Sequence, residues 1–151
     1  MANSILIDRG WMKFQTNIQQ LQRQGVKVGL RSTAGSHNGV LIVDYAVFNE
    51  FGTSKIPARP FMRRTADQSR QFLAPFVSAL TQRMIQNNLS VSQVMNQLGL
   101  FYQDKIRNTI RSSPTWAVPN APSTIKKKGS SVPLIDTGAM LGAVDYQRTK
   151  I

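Results

Sequence analysis

Residues 49–64 read NEFGTSKIPARPFMRR, and the organisation of the chain follows from them. Just upstream, Tyr45, Val47, Phe48 and Phe51 lie close to a helical stripe, which predicts a short helix over 45–51. Gly52 supplies a residue that takes positive φ readily, as the end of a helix requires. Pro57 and Pro60 forbid helix between them, so 56–60 is expected to be extended. Phe61 enters the next element as an apolar anchor. Five cations crowd the stretch and its flank: Lys55, Arg59, Arg63, Arg64 and Arg70. The only glutamate of the chain, Glu50, stands just before them. A carboxylate at a helix C-terminus opposes the macrodipole, at a cost of about 0.3–1 kcal/mol. A cation facing it offsets that cost, and Arg59 and Arg63 both qualify. The two prolines restrict the backbone around Arg59, whose guanidinium can grip a carboxylate with two parallel bonds. Glu50 and Arg59 are therefore the expected locking pair of this turn, within a cluster that is expected to serve protein contact.

On the N-terminal side, Ile7, Trp11, Phe14, Ile18 and Leu21 mark one face of a helix over 5–24, weakened at Gly10 and ended at Gly25. Val26, Val28 and Leu30 alternate with Lys27 and Gly29, a half-buried strand over 26–30. Asn38 and Gly39 form a two-residue hairpin signal, and the apolar run 40–43 is the expected returning strand, buried on both faces. Asp44 is a candidate N-cap for the helix that follows.

On the C-terminal side, 66–88 reads as a long helix with a wide stripe through Phe72, Phe76, Leu80 and Met84. Pro75 marks either a kink or a boundary in it. Ser90 and Gln93 have the spacing of a capping box, opening a helix over 91–111. Residues 112–133 then change character: four prolines, many Ser and Thr, Trp116, and the run Lys126, Lys127, Lys128. A stretch of this length without regular structure is uncommon in a compact domain unless it is functional or disordered. A single turn over 137–141, capped by Asp136 or Thr137, and a strand over 143–148 complete the chain.

The predicted fold class is α+β, one domain over 1–151. Strands 26–30, 40–43 and 143–148 make a small, mostly antiparallel sheet, with 56–61 alongside it. Helices 5–24, 66–88 and 91–111 pack on that sheet and bury Phe72, Phe76, Leu80, Leu98, Tyr102 and Ile106. The segment 112–133 is an extended loop or arm.

Lys plus Arg number 19 against 7 Asp plus Glu, a net charge of +12. Such a field favours anionic partners: nucleic acid, an acidic protein surface or a membrane face. The cations are dispersed, which points more to protein contact than to a dedicated DNA groove. No apolar run approaches a membrane span, so no membrane partner is expected, and MANSILIDRGW lacks the apolar core of an export signal. There is no cysteine, which excludes disulfides and thiolate metal sites. The single histidine, His37, sits in a glycine-flanked turn and reads as a turn residue. Gly129, Ser130 and Ser131 follow three lysines but lack the pattern of a phosphate loop. No catalytic residue, cofactor site or metal site is expected.

Asn49-Glu50-Phe51-Gly52-Thr53 followed by Ile56-Pro57-Ala58-Arg59-Pro60-Phe61 resembles the signature of the small head–tail joining proteins of tailed bacteriophages. These are the tail-completion or neck proteins that include the minor tail protein Z family. Two more regions are similar to that pattern, in the same order. One is 99–110, with Gln103-Asp104-Lys105-Ile106-Arg107. The other is the C-terminal loop and turn, with Asn120-Ala121-Pro122-Ser123-Thr124-Ile125-Lys126, Lys128-Gly129 and Pro133-Leu134-Ile135-Asp136-Thr137-Gly138. The likeness spans about 26–148.

The resemblance implies a non-catalytic virion subunit, assembled in the bacterial host cytoplasm. It implies a cyclic ring, a hexamer, at the head-proximal end of a tail or in the neck. The implied partners are copies of itself, the neighbouring neck, connector and tail-tube proteins, and phage DNA in the lumen. The expected interface residues are Glu50, Arg59, Pro60, Phe61, Arg63, Arg64, Trp116, Lys126, Lys127 and Lys128. Trp116 is the expected anchor of an arm that gains order on assembly. The alternative is a basic nucleic-acid-binding module, which would stack bases on exposed aromatics in a basic groove. Phe61 and Phe72 are the aromatics near the 55–70 cluster, and both read as core.

Overall fold

The computed structural model describes residues 9–86 and 89–151. Helix α1 (Arg9–Gln22) leads into strand β1 (Gln24–Leu30). The helix gives way before Gly25, which lies inside the strand; the start of the expected helix, 5–8, falls outside the described residues. A small ribbon follows, β2 (Ser36–His37) with β3 (Val40–Leu41), turned by Asn38 and Gly39, both at positive φ. The hairpin signal is thus realised, but the returning strand is two residues long. Ile42 and Val43 join helix α2 (Ile42–Phe51) instead, and Val40 and Leu41 are exposed rather than buried on both faces. Asp44 lies in the first turn of α2; Leu41 holds the N-cap position without a side-chain bond.

Helix α3 (Phe61–Ile85) begins five residues before the expected start and continues through Pro75, which is therefore not a boundary. Pro75 is on the exposed side, where the lost backbone bond can be met by water. Helix α4 (Val91–Arg111) carries the expected capping box: Ser90 Oγ accepts from Gln93 N, and Gln93 Oε1 accepts from Ser90 N at 2.7 Å. Beyond it lie a 3-10 turn (Ser113–Thr115), helix α5 (Pro122–Lys128), helix α6 (Ala139–Gly142) and strand β4 (Val144–Lys150). Gly138 at positive φ precedes α6, with no cap from Asp136 or Thr137.

The class is α+β, but the strands form two separate ribbons. β1 pairs antiparallel with β4 from Gln24 opposite Lys150 to Leu30 opposite Val144, so the pairing joins the two ends of the described chain. Residues 56–60 join neither ribbon. α3 and α4 form a hairpin with an apolar cluster at each end. Leu80, Met84, Val91 and Val94 meet near the connection, with Leu21 of α1 against them. At the open end Phe61, Ile106 and Ile110 meet Ile42, Ala46, Leu134, Met140 and Val144. At the same end, Thr65 Oγ1 donates to Thr109 Oγ1 at 2.8 Å.

α4 also crosses the β1–β4 ribbon. Gly99 allows the close approach: a Cβ there would lie 2.1 Å from Cδ2 of Tyr146. Of the expected core, Leu80 and Ile106 are buried, while Phe76, Leu98 and Tyr102 are half-buried. Phe72 is exposed, with the Lys105 ammonium 4.9 Å from its ring centre.

Candidate functional site

α2 ends as its sequence dictates. Gly52 has φ 77° and its N–H reaches Phe48 O at 2.9 Å. A Cβ on Gly52 would lie 3.0 Å from Ala58 N, so both conformation and space require glycine. Thr53 then folds the linker on itself, its Oγ1 accepting from Lys55 N and Ile56 N. This places Arg59 inward and starts α3 at Phe61.

Glu50 is 6% exposed, and its partner differs from the expected one. Its Oε2 accepts from Met62 N at 2.8 Å, and its Oε1 accepts from Arg63 N at 3.1 Å and from Arg63 Nε at 3.0 Å. Arg63 Nη2 also donates to Glu50 O at 2.7 Å. The carboxylate therefore caps the first turn of α3. It sits at the wrong end of one helix dipole but at the favourable end of the next. The ion pair is Glu50–Arg63, not Glu50–Arg59.

Arg59 is also 6% exposed and has a different task. Its Nε donates to Val118 O at 2.7 Å, and its Nη1 to Asn49 Oδ1 at 3.2 Å. Nη2 donates to Pro119 O and to Asn120 Oδ1, both at 3.2 Å. A buried guanidinium is thus satisfied by neutral oxygens, three of them from the segment after α4. Burial lowers its affinity for the proton, an effect opposed by nearby Tyr45. Asn120 in turn donates to Val132 O at 3.2 Å, and Lys128 Nζ reaches the same oxygen at 2.9 Å. Burial likewise lowers the Lys128 pKa, against the pull of Asp136. The Tyr45 hydroxyl is held protonated, first by burial and second by Asp136.

The segment 112–133 is therefore not a free arm. Ser113, Ala117, Asn120 and Pro133 are buried, and α5 lies within it. The expectation was an arm that gains order only on assembly; instead Arg59 attaches it to its own subunit by hydrogen bonds. Trp116 folds back on its own subunit, its Nε1 donating to Thr109 O at 3.0 Å and its ring lying 4.9 Å from the Arg64 guanidinium.

The expected interface residues accordingly divide. Glu50, Arg59 and Phe61 are interior, and Pro60, Arg64, Trp116 and Lys128 are half-buried. Arg63, Lys126 and Lys127 are exposed. Sequence reasoning passed over Asn49 and Asn120, the side-chain acceptors for Arg59. One signal was present: Arg59 is a single cation in the otherwise apolar run Ile56, Pro57, Ala58, Pro60, Phe61.

The outer surface of this region was also missed. In the last turn of α2 the usual order is reversed. Asn49 and Glu50 are buried, while Val47, Phe48 and Phe51 are exposed, Phe51 at 67%. The Arg63 guanidinium lies 5.2 Å from the Phe51 ring centre. Seven of the ten residues of α2 (IVDYAVFNEF) are apolar, more than one buried face requires.

Among the described residues, no group of three or more His, Cys, Asp or Glu is placed to hold a metal ion. No helix there is long and apolar enough to cross a membrane. No family model, curated protein or solved structure matches this chain. The chemistry on view is that of a polar lock under an exposed apolar face.

Proposed function

We propose that this protein is a structural subunit of a tailed-bacteriophage virion. It assembles in the host cytoplasm into a ring, a hexamer, at the head-proximal end of the tail or in the neck. It works by shape and self-association and performs no catalysis. The observation that carries this reading is the reversed last turn of α2: Val47, Phe48 and Phe51 face outward from a rigid base made by Glu50, Arg63 and Arg59. A contiguous apolar surface on such a base is the mark of a protein-contact face. The motif likeness over 26–148 supplies the setting: neighbouring neck, connector and tail-tube proteins, with DNA in the lumen. Electron microscopy of the purified protein and of particles tests it. A ring is expected; one or two copies per particle, or none, overturns it.

A second reading, nucleic-acid binding as the main activity, draws on two basic–aromatic pairs, Arg63 over Phe51 and Arg64 over Trp116. Exposed Lys126 and Lys127 add to it. Tight duplex binding that falls steeply with salt would raise this reading above the first.

A further inference from the structure

The β1–β4 pairing gathers cations that the sequence keeps far apart. Lys150 stands opposite Gln24, Arg148 opposite Val26 and Gln147 opposite Lys27, and Ile151 N donates to Arg23 O at 3.0 Å. One end of the ribbon thus carries Arg23, Lys27, Arg148 and Lys150, all exposed. The segments 23–27 and 147–150 contain no Asp or Glu. The acid of the ribbon, Asp145, lies toward its other end and pairs with Arg31. Among the described residues, no ion pair or side-chain hydrogen bond engages any of the four cations. Like charges gathered in this way repel one another, and an anionic partner relieves the repulsion.

The neighbouring side chains select among anionic partners. An acidic protein surface would be held by aromatic or apolar anchors at the centre of the contact, and a nucleic-acid single strand by aromatics on which bases stack. The segments 23–27 and 147–150 contain no aromatic residue. The adjoining Tyr146 is packed against Gly99 of α4. Gln147 is exposed and Thr149 half-buried beside the cations, and Lys, Arg, Gln and Thr are the side chains that bind phosphate oxygens. Strand alternation puts Lys27 on one face of the ribbon and Arg148 and Lys150 on the other. Positive charge therefore surrounds the ribbon end, which suits the phosphate rows on either side of a duplex groove. The major groove is wide enough to admit a two-stranded ribbon.

We propose that the end of the β1–β4 ribbon contacts the phosphate backbone of duplex DNA, without reading its sequence. The inference rests on the ring reading above for its setting and names the surface that meets DNA in the lumen.

Fluorescence anisotropy of labelled duplexes of about 20 base pairs, from roughly 25 mM salt upward, tests it. The wild-type protein is expected to bind A·T-rich and G·C-rich duplexes alike, with log K falling against log salt at a slope of about −3 to −4 for four phosphates. A ribbon variant carries Arg23→Gln, Lys27→Gln, Arg148→Gln and Lys150→Gln. A matched variant of the same net charge carries Lys55→Gln, Arg70→Gln, Lys126→Gln and Lys127→Gln. The ribbon variant should bind at least about tenfold more weakly with a slope near zero, and the matched variant within about twofold of wild type. Circular dichroism should be unchanged in both, since all eight side chains are exposed. Equal losses in the two variants, a loss confined to the matched variant, or no duplex binding by the wild type overturns the proposal. Polyglutamate or single strands competing as well as duplex overturns the choice of partner. Electron microscopy of the same proteins separates the two readings. Rings with unaltered DNA binding in the ribbon variant overturn this contact alone; a ribbon-dependent duplex affinity in a protein that forms no ring overturns the ring alone.

Discussion

Arg59 is the residue on which the site turns. Its guanidinium satisfies oxygens from α2 and from the segment after α4, so truncation strands the buried side-chain oxygens of Asn49 and Asn120 and the part-buried carbonyls of Val118 and Pro119. Arg59→Ala is expected to destabilise the isolated subunit by about 2–4 kcal/mol, each unsatisfied buried group costing roughly 1–3. Arg59→Lys should recover less than half, because an ammonium cannot reproduce the planar fork. Urea unfolding of the three proteins checks this; a fully stable Arg59→Ala variant would contradict the hub role. Tyr45 adds a pH signature. Its pKa lies above the ordinary tyrosine value of about 10, chiefly from burial. Between those two values the folded chain keeps a proton that the unfolded chain has lost, so this residue's contribution falls as pH rises through that window. Tyr45→Phe should flatten the alkaline decline in unfolding free energy, measured from pH 9 to 11.

At the scale of elements, the segment 112–133 changed most between sequence and structure. The amides of Ala117, Ile125 and Gly129, which donate to Ser113 O, Ala121 O and Ile125 O, should be protected from exchange in the isolated monomer. In Arg59→Ala, protection should fall across 116–133 while α4 keeps its own. Uniform loss would mean that the segment and the core unfold as one unit. α3 holds a second test. Pro75 removes one helix bond on an exposed face, and Pro75→Ala should stabilise the protein by up to about 3 kcal/mol, read as a rise in midpoint temperature. The α4–ribbon contact is tighter. Gly99→Ala drives a methyl group into the Tyr146 ring and should cost about 1–3 kcal/mol, as overpacking does.

At the scale of the molecule, the exposed end of α2 and the dispersed charge predict different behaviours. Val47→Asp with Phe51→Asp should leave the subunit folded, since both side chains face outward, yet abolish ring formation. Circular dichroism and electron microscopy together check the pair of outcomes, and intact rings would move the contact face elsewhere. Local signals made much of this molecule legible in its sequence. The capping box at Ser90, the Asn38–Gly39 turn, the Gly52 helix stop and the α+β alternation all act over a few residues, through φ preferences, nearby hydrogen bonds and apolar period. Contacts between residues far apart in the chain were decided only by tertiary structure. Glu50 was read against the dipole of its own helix because the N-terminus of α3 reaches it only once the linker folds back. Phe48 and Phe51 were read only as part of a helical stripe, because period alone does not say which face the core takes. Arg59 was given a nearby carboxylate because the carbonyl oxygens of Val118 and Pro119 belong to every chain and carry no sequence signal. Their direction toward a guanidinium sixty residues away is a property of the folded backbone.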